Sequence, residues 1–328
     1  MSLTKVMILI IKKLTLIKVF YQNLNTNKVS IDYTNKYILD ILPVTRFWGL
    51  DRKKGVGRPK KGYLPKWIAD FDWVIGWSHG YLNKKKIPNS IFCHPELLGF
   101  FSLYLIIHPQ LSKKLSNTII IFGGEDTKLS RQKKIFLKKI KRTFKDVYYE
   151  AKDVEDNSIK IMPIGLTEFY IRSFEKTLEN LIQEPNIKSN LLLSSFGYHW
   201  PKLNKKISDR SSAAKFSEDK DFVTYKNFDT DEYFTQLSIH KYLLVPLGNG
   251  VQSPKLIESI LMECIPIMTK SVASIELLKI GFPILIIEKW NDITKELLEN
   301  RYYLLNKEVV MFKNKILNYE KYRNFTFH

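Results

Sequence analysis

The sequence predicts an α/β protein built from two domains, and three observations carry that reading. Short apolar runs alternate along the chain with longer stretches of helical period. The 328 residues exceed what one core usually serves and suggest two domains of roughly 150 residues each. Finally, the apolar run Tyr242-Leu243-Leu244-Val245-Pro246-Leu247 leads through glycines directly into a helix start, which is the repeating unit of a parallel, doubly wound sheet.

In the first half, strands are predicted at 5–11, 73–76, 90–92 and 118–122, the last ending in Gly123-Gly124-Glu125-Asp126. A basic helix is predicted over 130–144, with Ile135, Phe136, Ile140 and Phe144 toward the core. Two short strands at 146–150 and 159–163 follow, so the first domain spans 1–165. A linker helix occupies 166–189 and closes at Pro185, a helix stop next to polar residues. The second domain, 190–300, carries strands at 190–196, 222–224, 242–247, 265–268 and 283–287. Helices at 230–238, 253–263, 274–279 and 291–299 lie between or after them. The tail, 301–328, is expected to form a helix over 306–319 that packs back on the body.

A hydrophobic content of 45% with 13% aromatics supports packed cores and excludes a disordered chain. The formal charge of +19 favours anionic partners. Lysine, isoleucine and asparagine are abundant throughout, and that compositional bias also produces the charge without any binding role. Cys93 and Cys264 form neither a disulfide framework nor a zinc site, and their apolar surroundings predict buried thiols in a reducing compartment. The apolar residues 6–11 are followed by Lys12 and Lys13, and 14–20 contains Lys18. That pattern fits neither a membrane span nor a signal peptide, so a soluble, cytoplasmic protein is expected.

The chemistry concentrates after the apolar run. Gly248-Asn249-Gly250 forms a turn that tolerates positive φ and close approach of a ligand to the backbone. Ser253 then suits the N-cap and Pro254 the first helical position, while Leu256, Ile257, Ile260 and Leu261 make the core-facing stripe. Free amides and the positive helix end thus fall at the carboxyl edge of a sheet, where phosphates are favoured. Lys255 in the first turn opposes the helix dipole, at a cost of roughly 0.3–1 kcal/mol that a bound anion would relieve. Glu258, three residues on and on the same face, can accept hydrogen bonds from the paired hydroxyls of a ribose. The plain alternative is a surface ion pair between Lys255 and Glu258, worth under about 1 kcal/mol.

The run "YLLVPLGNGVQSPKLIESILMECIPIM" resembles the C-terminal domain of exostosin-like glycosyltransferases, and "GFPILIIEKWNDI" is similar to a later segment of that family. The resemblance covers about 190–298. It implies the GT-B architecture, two Rossmann-like domains with parallel sheets facing across a cleft, with the donor nucleotide in the C-terminal domain and the acceptor in the N-terminal one. It further implies Ser253 and Lys255 near a diphosphate and Glu258 on the ribose. The donor would be a UDP- or GDP-sugar, with no further cofactor and no metal, and the acceptor a glycan, lipid-linked or protein-linked hydroxyl. Two positions depart from the pattern. Lys255 stands for the usual arginine and loses its bidentate fork, and Glu263 stands where a small residue, usually glycine, precedes the closing strand. Arg210, with Lys215 as the alternative, is the candidate for a second cation on the diphosphate.

Inverting transfer needs a general base. Glu125 and Asp126, after a strand, and His79, in a glycine-flanked loop, are the candidates; for the two acids, turn and helix-cap chemistry is the competing role. His94 and His108, each followed by proline, read as structural. The Asp-x-Asp spacing at Asp229-Thr230-Asp231 reads as a helix cap rather than a metal site. The segment 52–62, with its Gly57-Arg58-Pro59 core, resembles an AT-hook and gives DNA binding as the rival reading. A non-catalytic binding protein of the same fold is a third. On the transferase reading nucleic acid is not a partner, and the basic surface allows a peripheral contact with anionic membrane.

Overall fold

The computed structural model describes residues 71–75, 80–82, 87–124, 126–165, 177, 187–196, 209–248 and 250–317. The sequence-predicted strand at 5–11, the segment 52–62 and nearly all of the linker helix lie outside them. The chain divides into two compact units that meet in sequence between Met162 and Pro163.

In the first unit, β1 (Trp73–Ile75), β2 (Gly80–Leu82), β3 (Ser90–Cys93), β4 (Ile119–Phe122), β5 (Asp146–Tyr149) and β6 (Lys160–Ile161) form one sheet in the order β2-β1-β3-β4-β5-β6. All neighbours are parallel except β1 and β2. The parallel strands are almost continuous apolar runs because both faces are covered: Ile91 to Cys93, Ile120 to Phe122 and Val147 to Tyr149 are all buried. The helices are α1 (Leu98–Ile107), α2 (Pro109–Lys114) and α3 (Lys134–Thr143). The single helix expected over 130–144 is a short 3-10 turn, Leu129–Arg131, followed by α3. Ile140 and Phe144 are buried as expected, whereas Ile135 is 66% exposed. The inward stripe of α3 runs through Phe136, Ile140 and Thr143, and position 135 falls one residue outside it. Strand β2 was not legible because it is a three-residue edge strand opened by a glycine.

The second unit holds β7 (Asn190–Ser194), β8 (Val223–Tyr225), β9 (His240–Leu244), β10 (Ile265–Thr269) and β11 (Leu285–Ile287), ordered β11-β10-β9-β7-β8 and parallel throughout. Its helices are α4 (Arg210–Glu218), α5 (Thr230–Ile239), α6 (Lys255–Leu261), α7 (Val272–Lys279) and α8 (Lys295–Leu317). From β7 the chain winds outward to β8, then returns to β9 and winds the other way through β10 to β11. The reversal makes the carboxyl edge between β7 and β9 the topological switch point, where such sheets bind ligands.

Three of the differences from the sequence reading have a clear physical cause. Strand β9 ends at Leu244 rather than 247: Val245 N still donates to Ile267 O at 2.9 Å, but Pro246 has no N–H with which to continue. The helices expected at 291–299 and 306–319 are one helix of 23 residues, α8, which contains no glycine or proline to break it. Tyr242 Oη pins α8 to β9 by donating to Leu298 O at 2.7 Å. Lastly, α6 ends in a Schellman motif: Cys264 N donates to Ser259 O at 2.8 Å and Glu263 N to Ile260 O at 3.0 Å. Glu263 therefore takes φ 56°, the left-handed position that glycine fills most easily.

Candidate functional site

Two segments reach the switch point: the one after β9, carrying Gly248, and the start of α4, carrying Arg210. A Cβ placed on Gly248 would lie 2.7 Å from Arg210 Nη2 and 3.1 Å from its Cζ, so the guanidinium rests directly against the glycine backbone. Gly248 does not have positive φ. The close approach that the sequence allowed for here is made by the Arg210 side chain.

The helix α6 begins one residue later than expected. Pro254 already has helical angles (φ −53°, ψ −25°), and Ser253 Oγ accepts from Lys255 N at a long 3.4 Å. Lys255 therefore heads α6, with its Nζ 3.9 Å from the centroid of the Tyr233 ring. Tyr233, buried on α5, donates its hydroxyl to Glu258 Oε2 at 3.1 Å. Glu258 is 0% exposed, and its other oxygen, Oε1, is buried with no hydrogen-bond partner. The three side chains form a unit: a cation on the ring face, and the ring's hydroxyl on the carboxylate.

The electrostatics follow from burial. Although Lys255 keeps some exposed surface, desolvation lowers its pKa to about 8; the Glu258 charge pulls it up and the Arg210 charge pushes it further down. Glu258 is raised, first by burial, against the opposing pull of Lys255 and of the Tyr233 hydroxyl. Arg210 and Lys255 each stand at a helix start, where the dipole disfavours a cation. The dipole cost falls on top of whatever Asp209 and Glu258 offset, and a bound anion would lower it at both positions.

Beside Arg210, Asp209 Oδ2 accepts from Thr269 Oγ1 at 2.8 Å, at the carboxyl end of β10. Burial raises the Asp209 pKa, with hydrogen bonds from Thr269 and the Leu247 backbone and the charge of Arg210 working the other way. A cavity of about 470 Å³ opens here, lined by Asp209, Ser212, Lys215, Thr269 and Trp290 among others, a size in the range of small-molecule sites.

The structure thus brings together Arg210 with Gly248, and Lys255 with Glu258, within electrostatic reach of one another; Ser253 and Gly250 lie on the same connection. Lys215, the alternative cation, lines the cavity. Asn249, His79 and Glu125 lie outside the described residues. Asp126 follows β4 in the first unit, after Gly124 (φ 80°), whose N–H donates to Glu150 Oε2 at 2.9 Å. His94 accepts from Glu96 N at 3.4 Å and caps a 3-10 turn, a structural role, and burial lowers its pKa to about 3. Asp229 Oδ1 accepts from Glu232 N at 2.9 Å and caps α5, as read from the sequence. Among the described residues no group of three or more His, Cys, Asp or Glu could hold a metal ion, and no helix is long and apolar enough to cross a membrane. Sequence reasoning missed Tyr233, Asp209 and Thr269, which belong to three separate elements that only the fold joins.

No protein-family model matches the chain, and no curated protein matches its sequence. Among solved structures it is similar to WaaG, a glycosyltransferase involved in lipopolysaccharide biosynthesis, at 13% identity over 72% of this chain and 74% of that one, with a TM-score of 0.33. A likeness of that degree carries no functional conclusion. The site itself places two cations at helix starts beside a topological switch point, with a buried carboxylate one helical turn beyond.

Proposed function

We propose that the chain is a nucleotide-sugar-dependent glycosyltransferase whose second unit binds the donor at the carboxyl edge between β7 and β9. The observation that carries the reading is the convergence of Arg210 and Lys255. One rests on the bare backbone of Gly248, and the other is desolvated enough to titrate at about 8. Holding two cations within electrostatic reach of one another costs folding energy that a diphosphate would return. In sugar transfer the diphosphate is the leaving group, and cations placed on it stabilise the charge that develops as the anomeric bond breaks.

Glu258 would take the ribose hydroxyls on Oε1, its oxygen without a partner. Because the carboxylate is 0% exposed, nucleotide binding has to open what covers it. Tyr233 would hold Glu258 and Lys255 in register from behind. The resemblance of 242–268 to exostosin-like enzymes supports the sugar-nucleotide identity and the assignment of the acceptor to the first unit. There Asp126, with His79 and Glu125, is the candidate base for an inverting reaction.

A melting-temperature screen with UDP, GDP and their sugars tests this reading. At least one nucleotide should raise the melting temperature of the wild type, and Glu258→Ala should abolish the shift. If no nucleoside diphosphate or nucleotide sugar has any effect, the proposal is wrong. A melting shift without transfer or hydrolysis of any donor would instead make the chain a binding protein.

A further inference from the structure

One face of the first unit has a feature that donor binding does not use. On α1, Leu103, Ile106 and Ile107 are 43%, 48% and 69% exposed. Their spacing of three and four residues puts them on one stripe of the helix rather than scattered over it. Helix α3 lies alongside: a Cβ on Gly99 would meet the Phe136 ring at 3.1 Å, and Ser102 Oγ donates to Phe136 O at 3.3 Å. Farther along, Ser112 and Thr143 share a hydrogen bond of 2.9 Å, so α2 and α3 are joined as well. Next to Phe136 stands Ile135, the exposed residue that the helical period failed to bury.

The charge on these helices is all of one sign. Residues 98–118 and 127–145 contain no aspartate or glutamate, and Lys113, Lys114, Lys134, Lys138 and Arg142 are exposed. Neighbouring carboxylates answer only locally: Asp156 pairs with Lys141 at 3.0 Å, and Asp153 accepts from Ser130 N at 2.9 Å. Exposed branched apolar side chains on a helix packed beside cation-bearing helices match the interface of an anionic bilayer, where the apolar groups enter the acyl boundary and the cations meet the headgroups. A nucleic acid would satisfy the lysines but gain nothing from Ile106 and Ile107.

We propose that the face formed by α1, α2 and α3 is a peripheral docking surface for an anionic lipid bilayer. The proposal is independent of the nucleotide reading and stands or falls separately from it.

The full chain is sedimented with vesicles of phosphatidylcholine alone and of phosphatidylcholine with one-quarter phosphatidylglycerol. Binding should appear with the anionic vesicles only. Ile106→Ser/Ile107→Ser leaves the charge unchanged and should weaken binding by about tenfold, as should Lys134→Glu/Lys138→Glu. Lys220→Glu/Lys279→Glu, the same charge change at exposed positions of the second unit, should leave binding within about twofold. Circular dichroism and melting confirm that each variant is folded. Three results overturn the proposal: equal binding to both vesicle types or to neither; full binding by the isoleucine variant, which would reduce the interaction to net charge; and equal loss in the second-unit control. Tighter binding to duplex DNA, dependent on the same lysines and not on the isoleucines, would reassign the surface to nucleic acid.

Discussion

Gly248→Ala isolates the contact on which the anion site depends. The three atoms nearest to an added Cβ all belong to the Arg210 guanidinium, at 2.7, 3.1 and 3.4 Å. No backbone atom blocks the methyl group, so the strain is relieved by swinging the flexible end of Arg210 away. Gly248 has ordinary φ, and an alanine there recovers about 0.4–1 kcal/mol by restricting the unfolded chain, which should offset much of the packing strain. Stability is therefore expected to change little while the guanidinium is displaced. A charge-assisted hydrogen bond contributes about 1.5–3 kcal/mol, so nucleoside diphosphate affinity should fall by about 10- to 150-fold. The assay is isothermal titration of wild type, Gly248→Ala, Arg210→Ala and the double variant. If the glycine acts only by seating the arginine, the double variant binds no worse than Arg210→Ala alone. Additive losses, or an unchanged affinity in Gly248→Ala, would refute the reasoning.

Other expectations follow from the same geometry. Lys255 loses its proton near pH 8 in the free protein, and a bound diphosphate favours the protonated form. Nucleotide affinity should therefore drop by about tenfold between pH 7 and 9, and Lys255→Arg should flatten the profile. The same lowered pKa works oppositely on stability. The unfolded lysine keeps its proton to a higher pH, so the penalty of burying it is full below about 8 and diminishes as the pH rises toward its ordinary value. Tyr233→Phe leaves both oxygens of the buried Glu258 without a donor and should destabilise the fold by about 1–3 kcal/mol, read by chemical denaturation. Glu263→Gly should relieve left-handed strain of about 1 kcal/mol; because Glu263 pairs with Lys313 at 2.9 Å, the gain is read in a Lys313→Met background, and a loss there would count against the strain.

The parallel strands were legible because burial on both faces makes β3, β4, β9 and β10 short apolar runs, although α1, Leu98–Ile107, is just as apolar and is a helix. Their ends were less so. Pro246 cuts β9 short through a missing donor, whereas α8 runs on through 299–306 because no residue there stops it. The helix start at 253–255 and the Lys255–Glu258 spacing were visible as local pattern. The reason for Gly248 was not, since a glycine needed for φ and one needed for contact look alike until the partner side chain is placed. Arg210 was chosen from the chemical need for a second cation; the helix it opens, despite Ala213-Ala214-Lys215, was not read from the sequence. Tyr233 carried no signal at all. Its ring matters only because α5 lays it between Lys255 and Glu258, residues more than twenty positions away.

The most direct test of the central claim is a crystal structure with a nucleoside diphosphate bound. The account predicts diphosphate oxygens within about 3 Å of Lys255 Nζ and of the Arg210 guanidinium, and the ribose hydroxyls on Glu258 Oε1. A nucleotide bound elsewhere, or none at millimolar concentration with both cations intact, would contradict it.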